Sequence, residues 1–313
     1  MFDIFKKKDK KKDDGVVVLR KTEPGMCGGT DATQDTKAPK VIESKELTVF
    51  DVSTRLNCYP RTEDSEVLGR ISAFAAPSGD NTFLFLCKEY GFSRRGNDRD
   101  CNWALIKENV LPKLAELIAE CDLAKNNGYH ATTHGLPENF GGSVDIRYAS
   151  GEKISFSNNQ HSMVSAEAGV KIAEFFDTAM KKERVPLPDA SDLVGIRFSE
   201  ERANGGYTRA IMTINEDGTA TNRKTARYDD PTVYESEKTI DAATVEAIKK
   251  NINDCAVLAW EHLPESEYKF GADKKMTFVF ADGTEITVAE GKRVPNEIHN
   301  GFFNIDLEIT TKH

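Results

Sequence analysis

Residues 146–161 read IRYASGEKISFSNNQH, and residues 278–293 read FVFADGTEITVAEGKR. Both run apolar, any residue, aromatic, Ala, Ser or Asp, Gly, and then, after two further residues, Ile, Ser or Thr, and an apolar residue. Period-two alternation on either side of a glycine turn is the pattern of a β-hairpin, because glycine accepts the positive φ that a tight loop requires. Its recurrence 132 residues later points to a chain built from a repeated unit.

The match continues upstream. In VLPKLAELIAEC (110–121) the apolar stripe is Leu111, Leu114, Ile118 and Cys121; in TVEAIKKNINDC (244–255) it is Val245, Ile248, Ile252 and Cys255. That spacing is one face of a helix. Asn109 and Asp241 stand where N-caps belong, and Pro112 is tolerable within a first turn. Each helix is followed by Leu-Pro-Glu, at 136–138 and 263–265, and then by the hairpin. Ahead of the first helix, LTVFDV (47–52), GRISAFA (69–75), TFLFLCK (82–88) and CNWALIK (101–107) read as strands. Ahead of the second, LVGIRFS (193–199), TRAIMTIN (208–215), TATNRK (219–224) and YESEKTI (234–240) do the same. SGDN (78–81) and EDG (216–218) are turn signals at corresponding places.

A further helix is expected from Val164 to Met180, with a shorter counterpart starting near Pro295. Strands joined by tight turns, with few helices, imply α+β: a tandem duplication of an antiparallel sheet with helices packed on one face. The expected boundaries are a disordered Lys-rich tail at 1–40, a first repeat at 41–180, a linker at 181–192 and a second repeat at 193–313. If the two units pack together, a pseudo-twofold groove between them is the natural ligand site. The copies part after the hairpin, where AEGKRVPNEIH (289–299) replaces SNNQHSMVSAE (157–167), and function is expected where they differ.

Composition narrows the class. The chain has 313 residues, 39% apolar and 30% charged, and carries a formal net charge of −9, which disfavours nucleic acid as a ligand for the folded body. No apolar run approaches a membrane span, and no h-region follows the six lysines of MFDIFKKKDKKKDDG, so no secretory signal and no stable membrane anchor are expected. Phe2, Phe5 and the lysines could touch a lipid surface, but four aspartates in the first 14 residues leave that segment only two charges positive. Six scattered cysteines (27, 58, 87, 101, 121, 255) point to reduced thiols in the cytoplasm rather than a disulfide framework.

APKVIESKELTVFDVS (38–53) and GLPENFGGSVDIRYASGEKISFSNNQ (135–160), with the first helix between them, resemble a family of bacterial proteins with short Lys-rich starts and no assigned activity. The resemblance covers the first repeat and, loosely, the second. It implies a bacterial, cytoplasmic α+β protein and no particular chemistry.

Few residues suggest a site. His130 and His134 have H-x-x-x-H spacing, with His161 or Cys101 as a third ligand, but their surroundings read as a loop and no metal is expected. Ser162 and Ser165 lie in no G-x-S-x-G turn, and neither dinucleotide nor phosphate-loop glycine motifs occur. No cofactor is expected. Trp260 reads as a core cap. Asn158, Asn159, Gln160 and His161 concentrate donors and acceptors suited to amide, peptide or sugar recognition, against the plainer reading of a self-bonded turn. Arg94, Arg95 and Arg99, in a loop between strands, could clamp a carboxylate or phosphate, against the plainer reading of a charged surface turn.

The resulting expectation is a non-enzymatic binding module of two related units, with a protein or peptide as partner. The alternative is an enzyme on a small polar or anionic substrate, using the Arg94–Arg99 loop and the Asn158–His161 segment. It requires those two to converge in one concave pocket.

Overall fold

The structure, a computed structural model, describes residues 15–21, 29–56, 68–90, 98–136, 141–228, 230–267 and 272–311. In chain order the first part comprises β1 (Val16–Arg20), β2 (Thr30–Asp35), β3 (Leu47–Arg55), β4 (Leu68–Ser78), β5 (Asn81–Tyr90), β6 (Asp98–Ile106), α1 (Leu111–Glu120), β7 (Tyr129–Thr133), β8 (Gly142–Tyr148), β9 (Lys153–Asn158) and α2 (Ala166–Ala179). The second comprises β10 (Leu193–Arg202), β11 (Tyr207–Ile214), β12 (Ala220–Arg227), β13 (Val233–Ile240), α3 (Ala242–Asp254), β14 (Ala272–Phe280), β15 (Glu285–Ala289) and α4 (Asn300–Thr310). The fold is α+β with two sheets rich in antiparallel pairs.

The nine-stranded sheet has the order β1-β2-β7-β9-β8-β3-β4-β5-β6, and the six-stranded sheet β13-β12-β11-β10-β14-β15. Taken from the hairpin outward, β9-β8-β3-β4-β5-β6 and β15-β14-β10-β11-β12-β13 have one connectivity. Small details agree as well. The register slips between Leu47 and Val49 in one sheet and between Leu193 and Gly195 in the other. The hairpin glycines Gly151 and Gly283 have φ of 86° and 87°. Asp122 and Ala256, just past α1 and α3, are the non-glycine residues with positive φ among those described, at 48° and 53°. The sheets differ at the β9 edge, where β7, β2 and β1 extend the first; β7 pairs with β9 in parallel.

Two cores fix the layers. On one face of the larger sheet, Phe50, Ile71, Leu84, Leu86 and Ile106 pack with Leu114 of α1 and Ile172 and Phe176 of α2. Because strand residues alternate in direction, Val49, Phe74, Phe83, Phe85 and Leu105 point the other way. They join α3, α4 and the inner face of the smaller sheet in a second continuous core, with Ile248, Ile252, Phe278, Phe302 and Ile305. The Trp103 indole N–H donates to the carbonyl of Asn253 in α3 at 3.0 Å. The order is therefore helices, sheet, helices, sheet: the bare face of the first sheet rests on the helices of the second unit. The expected pseudo-twofold groove does not form, because a twofold would oppose like faces.

The stacking stops after two units for a reason visible in one register row. In the first sheet Asp51, Phe74, Phe85 and Trp103 stand side by side. The corresponding row of the second is Arg197, Ile211, Arg223 and Glu237. Arg223 bonds Glu237 at 2.7 Å and Arg197 pairs with Glu285, so this face is suited to water rather than to a further helical layer.

Three expectations need correction. The first 40 residues are not disordered throughout, since 16–20 and 30–35 are strands; both lack a clear alternation and form because β7 offers β2 an edge. The segment around His130 is strand β7 rather than a loop, held between β2 and β9. Cys87 and Cys101, expected as scattered reduced thiols, stand directly opposite in the β5–β6 register with their sulfurs at bonding distance, a pairing that a separation of 14 residues does not reveal. Cys121 and Cys255 are free and half-buried, and burial raises both thiol pKa values, leaving them poor nucleophiles.

Candidate functional site

A cleft of about 770 Å³ opens where the bare face of the first sheet meets the second unit. Its floor is Asp51 of β3 and Asp145 of β8, directly opposite each other in the ladder. They face the cleft because their neighbours Phe50, Val52, Val144 and Ile146 fill the core beneath α1 and α2. Arg147, two residues beyond Asp145, shares that face. Its guanidinium donates to both Asp145 carboxylate oxygens at 3.2 and 2.9 Å and reaches Glu267 at 3.0 Å.

The opposite wall is the segment between β15 and α4. Gly291, with φ of 86°, turns the chain there. The Ser266 N–H donates to the Gly291 carbonyl at 2.6 Å, and the Arg293 N–H to the Pro264 carbonyl at 2.8 Å. So pinned, Arg293 extends its guanidinium to Asp145 at 2.6 Å, while Asp51 lies 3.5 Å away. Trp260, Val294, Phe302 and Phe303 supply apolar surface, and Asn296, His299 and Asn300 stand at the approach to α4. Phe302 is buried, but Phe303 is 49% exposed. Trp260 caps the core, as its sequence position suggests, with its N–H on the Cys255 carbonyl at 3.1 Å.

The two floor carboxyls differ. Burial pushes the Asp145 pKa up, but hydrogen bonds from Arg147 and Arg293 outweigh that and hold it below the ordinary value. Burial also pushes Asp51 up, to about 6; Arg293 opposes this and Asp145 and Glu297 add to it. Asp51 keeps 40% of its side-chain surface accessible, so it is crowded by protein yet reachable through the cleft mouth. Asp145 pairs with two guanidiniums, whereas Asp51 shares that of Arg293, at 3.5 Å. It has room for a second cation.

Asn158–His161 lies outside this cleft. The Asn158 carboxamide oxygen accepts from the Gln160 and His161 N–H groups at 2.9 and 3.0 Å. Asn159 accepts from the Thr133 N–H at 2.8 Å and donates to the Thr133 carbonyl at 2.9 Å, tying β9 to β7. Asn158, Asn159 and Gln160 are half-buried, and His161 is exposed. Arg99 is the second residue of β6, ion-paired with Glu89 at 2.8 Å; Arg94 and Arg95 lie outside the described residues. β9 and β6 are separated by β8, β3, β4 and β5, a span of roughly 24 Å at ordinary strand spacing. Arg99 and the asparagine segment therefore do not converge. His130 bonds Ser157 and His134 bonds Asp31, each at 3.0 Å, and no cluster of three metal-ligating side chains occurs among the described residues.

Sequence reading missed Asp51, Asp145, Arg147 and Arg293. One signal was present: acidic residues at alternating positions of otherwise apolar strands, opposite the core-facing set. Another was that 290–299, which contributes to the cleft, falls where the sequences following the two similar hairpins stop resembling each other. No family model matches the chain, and no curated protein matches it. Among the described residues no helix is long and apolar enough to cross a membrane.

Proposed function

We propose that the chain is a non-enzymatic, protein-binding module whose inter-unit cleft seats a peptide segment carrying a basic side chain beside an apolar one. The observation that carries this reading is the unequal floor: Asp145 pairs with both Arg147 and Arg293, at 2.9 and 2.6 Å, and Asp51 with Arg293 at 3.5 Å, beside the aromatic surface of Phe302 and Phe303. A lysine or arginine of the partner would complete Asp51, and an adjacent apolar residue would cover Phe303. The same reading takes the two units as products of a tandem duplication. The first copy kept a bare sheet face, and the second acquired, in 289–299, the loop that turns their junction into a site. The enzymatic alternative needs Arg99 and the Asn158–His161 segment in one pocket, and their separation gives it no support.

The reading also places the protein in the cytoplasm. A Cys87–Cys101 bond that persists in protein isolated with thiols blocked at lysis would contradict that placement.

A photo-crosslinking residue at position 303 of the full chain, expressed in the cells that make it, tests the site. Crosslinks to a partner are expected at 303, should disappear with Asp51→Asn, and should be absent from a probe at 211 on the solvated sheet. Equal labelling from 211, or labelling indifferent to Asp51→Asn, would overturn the proposal.

A further inference from the structure

On the helix side of the nine-stranded sheet, away from the cleft, a second cavity of about 400 Å³ lies between α1, the hairpin β8–β9 and the segment that leads into β3. That volume falls within the range of small-molecule sites. Residues 39–46 form a strap over it, tied at several points. The Asn127 carboxamide donates to the Pro39 carbonyl at 2.9 Å, and the Glu43 and Ser44 N–H groups each donate to a carboxylate oxygen of Glu152 at 3.0 Å. The Ala149 N–H closes it on the Glu46 carbonyl at 2.9 Å. Held this way, the strap leaves Val41 77% exposed and the space beneath it open.

The interior is apolar except at one point. Ile42, Ala115, Ile118 and Ile154 line it, and so does Tyr148, which is only 5% exposed. Among the described residues no group hydrogen-bonds the Tyr148 hydroxyl, although a buried tyrosine ordinarily finds a partner. Burial, with Glu152 adding to it, pushes the phenol pKa up to about 12, so the hydroxyl remains a donor at any physiological pH.

Folding does not require that hydroxyl. Tyr148 pairs with Leu47 at the register slip of the first sheet, and Phe280 pairs with Leu193 at that of the second. Ala124, which lines the cavity, follows the positive-φ residue Asp122 by two positions, as Leu258 follows Ala256. Phe280 and Leu258 are both buried, and the turn at 190–192 rests on α3 with Ala190 fully buried. Where the second unit has a phenyl ring and a leucine, the first has a phenol and an alanine. The difference is a cavity with a donor in its wall.

The charges at the mouth select the head group. Glu43, Glu116 and Asp122 stand exposed there with Lys40 and Lys45, and Lys40 is engaged by the Asn127 carbonyl at 2.5 Å. Carboxylates outnumber ammonium groups, which disfavours an anion. We infer that this cavity is a binding site for a small neutral molecule, apolar apart from one carbonyl or ether oxygen, which accepts from the Tyr148 hydroxyl. The site is separate from the peptide cleft, which opens on the opposite face of the same sheet, so each stands or fails without the other.

Amide chemical shifts of the full chain during titration with acetophenone, ethylbenzene and benzoate test it, since the three share a ring and differ in the head. Acetophenone should move the amides of 40–45 and 115–124 saturably, and bind about three- to tenfold more tightly than ethylbenzene or benzoate. Tyr148→Phe, which keeps the ring as Phe280 does, should bring acetophenone down to the affinity of ethylbenzene while melting no lower than the wild type. Ala124→Leu, which places here the side chain of the second unit, should abolish binding of all three. No saturable shift at 40–45 and 115–124, or tighter binding of benzoate or ethylbenzene, would overturn the inference. So would an acetophenone affinity unchanged by Tyr148→Phe, or binding that survives Ala124→Leu.

Discussion

Asp51 illustrates what a crowded carboxylate on the floor of a cleft costs the protein. Its carboxyl has a pKa of about 6 in the fold against an ordinary 3.8. Between those values the folded state binds more protons than the unfolded one, so stability falls as pH rises through this window and stays lower above it. Groups bearing on Asp51 are Arg293, Asp145 and Glu297, with Arg147 and His299 in the same cleft. Asp51→Asn removes the titration. It should melt above the wild type near pH 7.5, with the gap closing near pH 4, in thermal scans at both values. A melting temperature lowered by Asp51→Asn at neutral pH would show that the carboxylate is a structural partner of Arg293. Gly141 is constrained by space instead. A methyl group there would sit 1.6 Å from the Asn158 carbonyl oxygen. Gly141→Ala should destabilise the chain by about 3 kcal/mol or more, read by chemical denaturation, because backbone rather than a flexible side chain must move.

At the scale of elements, the helices follow from their stripes. Val245, Ile248 and Ile252 of α3 are buried, and Asp241 caps its first turn by accepting from the Thr244 N–H at 2.8 Å. Ile248→Ala should cost about 2–5 kcal/mol, whereas Lys250→Ala, on the exposed side, should change stability by less than about 0.5 kcal/mol. Denaturation curves of the two variants decide this. Both helices and the central strands were legible because each carries its own period, 3.6 or 2, in its own residues. β7 was not: in YHATT both faces are polar or small, and only neighbours β2 and β9, distant in sequence, make it a strand. The asparagine segment was legible as a turn, since Asn158 bonds the two residues that follow it. Nothing in the sequence showed Asn159 reaching Thr133 across the sheet.

At the scale of the whole molecule, the site exists only because unlike faces stack. Asp51, Asp145 and Arg293 are far apart in sequence, and their meeting depends on the first sheet resting on the second unit's helices. Repeat patterns reveal units; they carry no information about which faces of those units meet. The shared core predicts a shared fate on unfolding. Trp103 belongs to the first unit and Trp260 to the second, and both pack in that core. Trp103→Phe and Trp260→Phe each leave one reporter, and their fluorescence transitions in denaturant should coincide. Separate midpoints would mean that the units fold independently and that the cleft is not rigidly built. The most direct test of the cleft's proposed role is selection of a displayed random peptide library on the full chain, in parallel with Asp51→Asn. The account predicts enriched peptides in which Lys or Arg stands beside an apolar residue, binding that weakens below about pH 6 as Asp51 is protonated, and no such enrichment on Asp51→Asn. Enrichment of the same peptides on both proteins, or of acidic peptides without a basic residue, would contradict it.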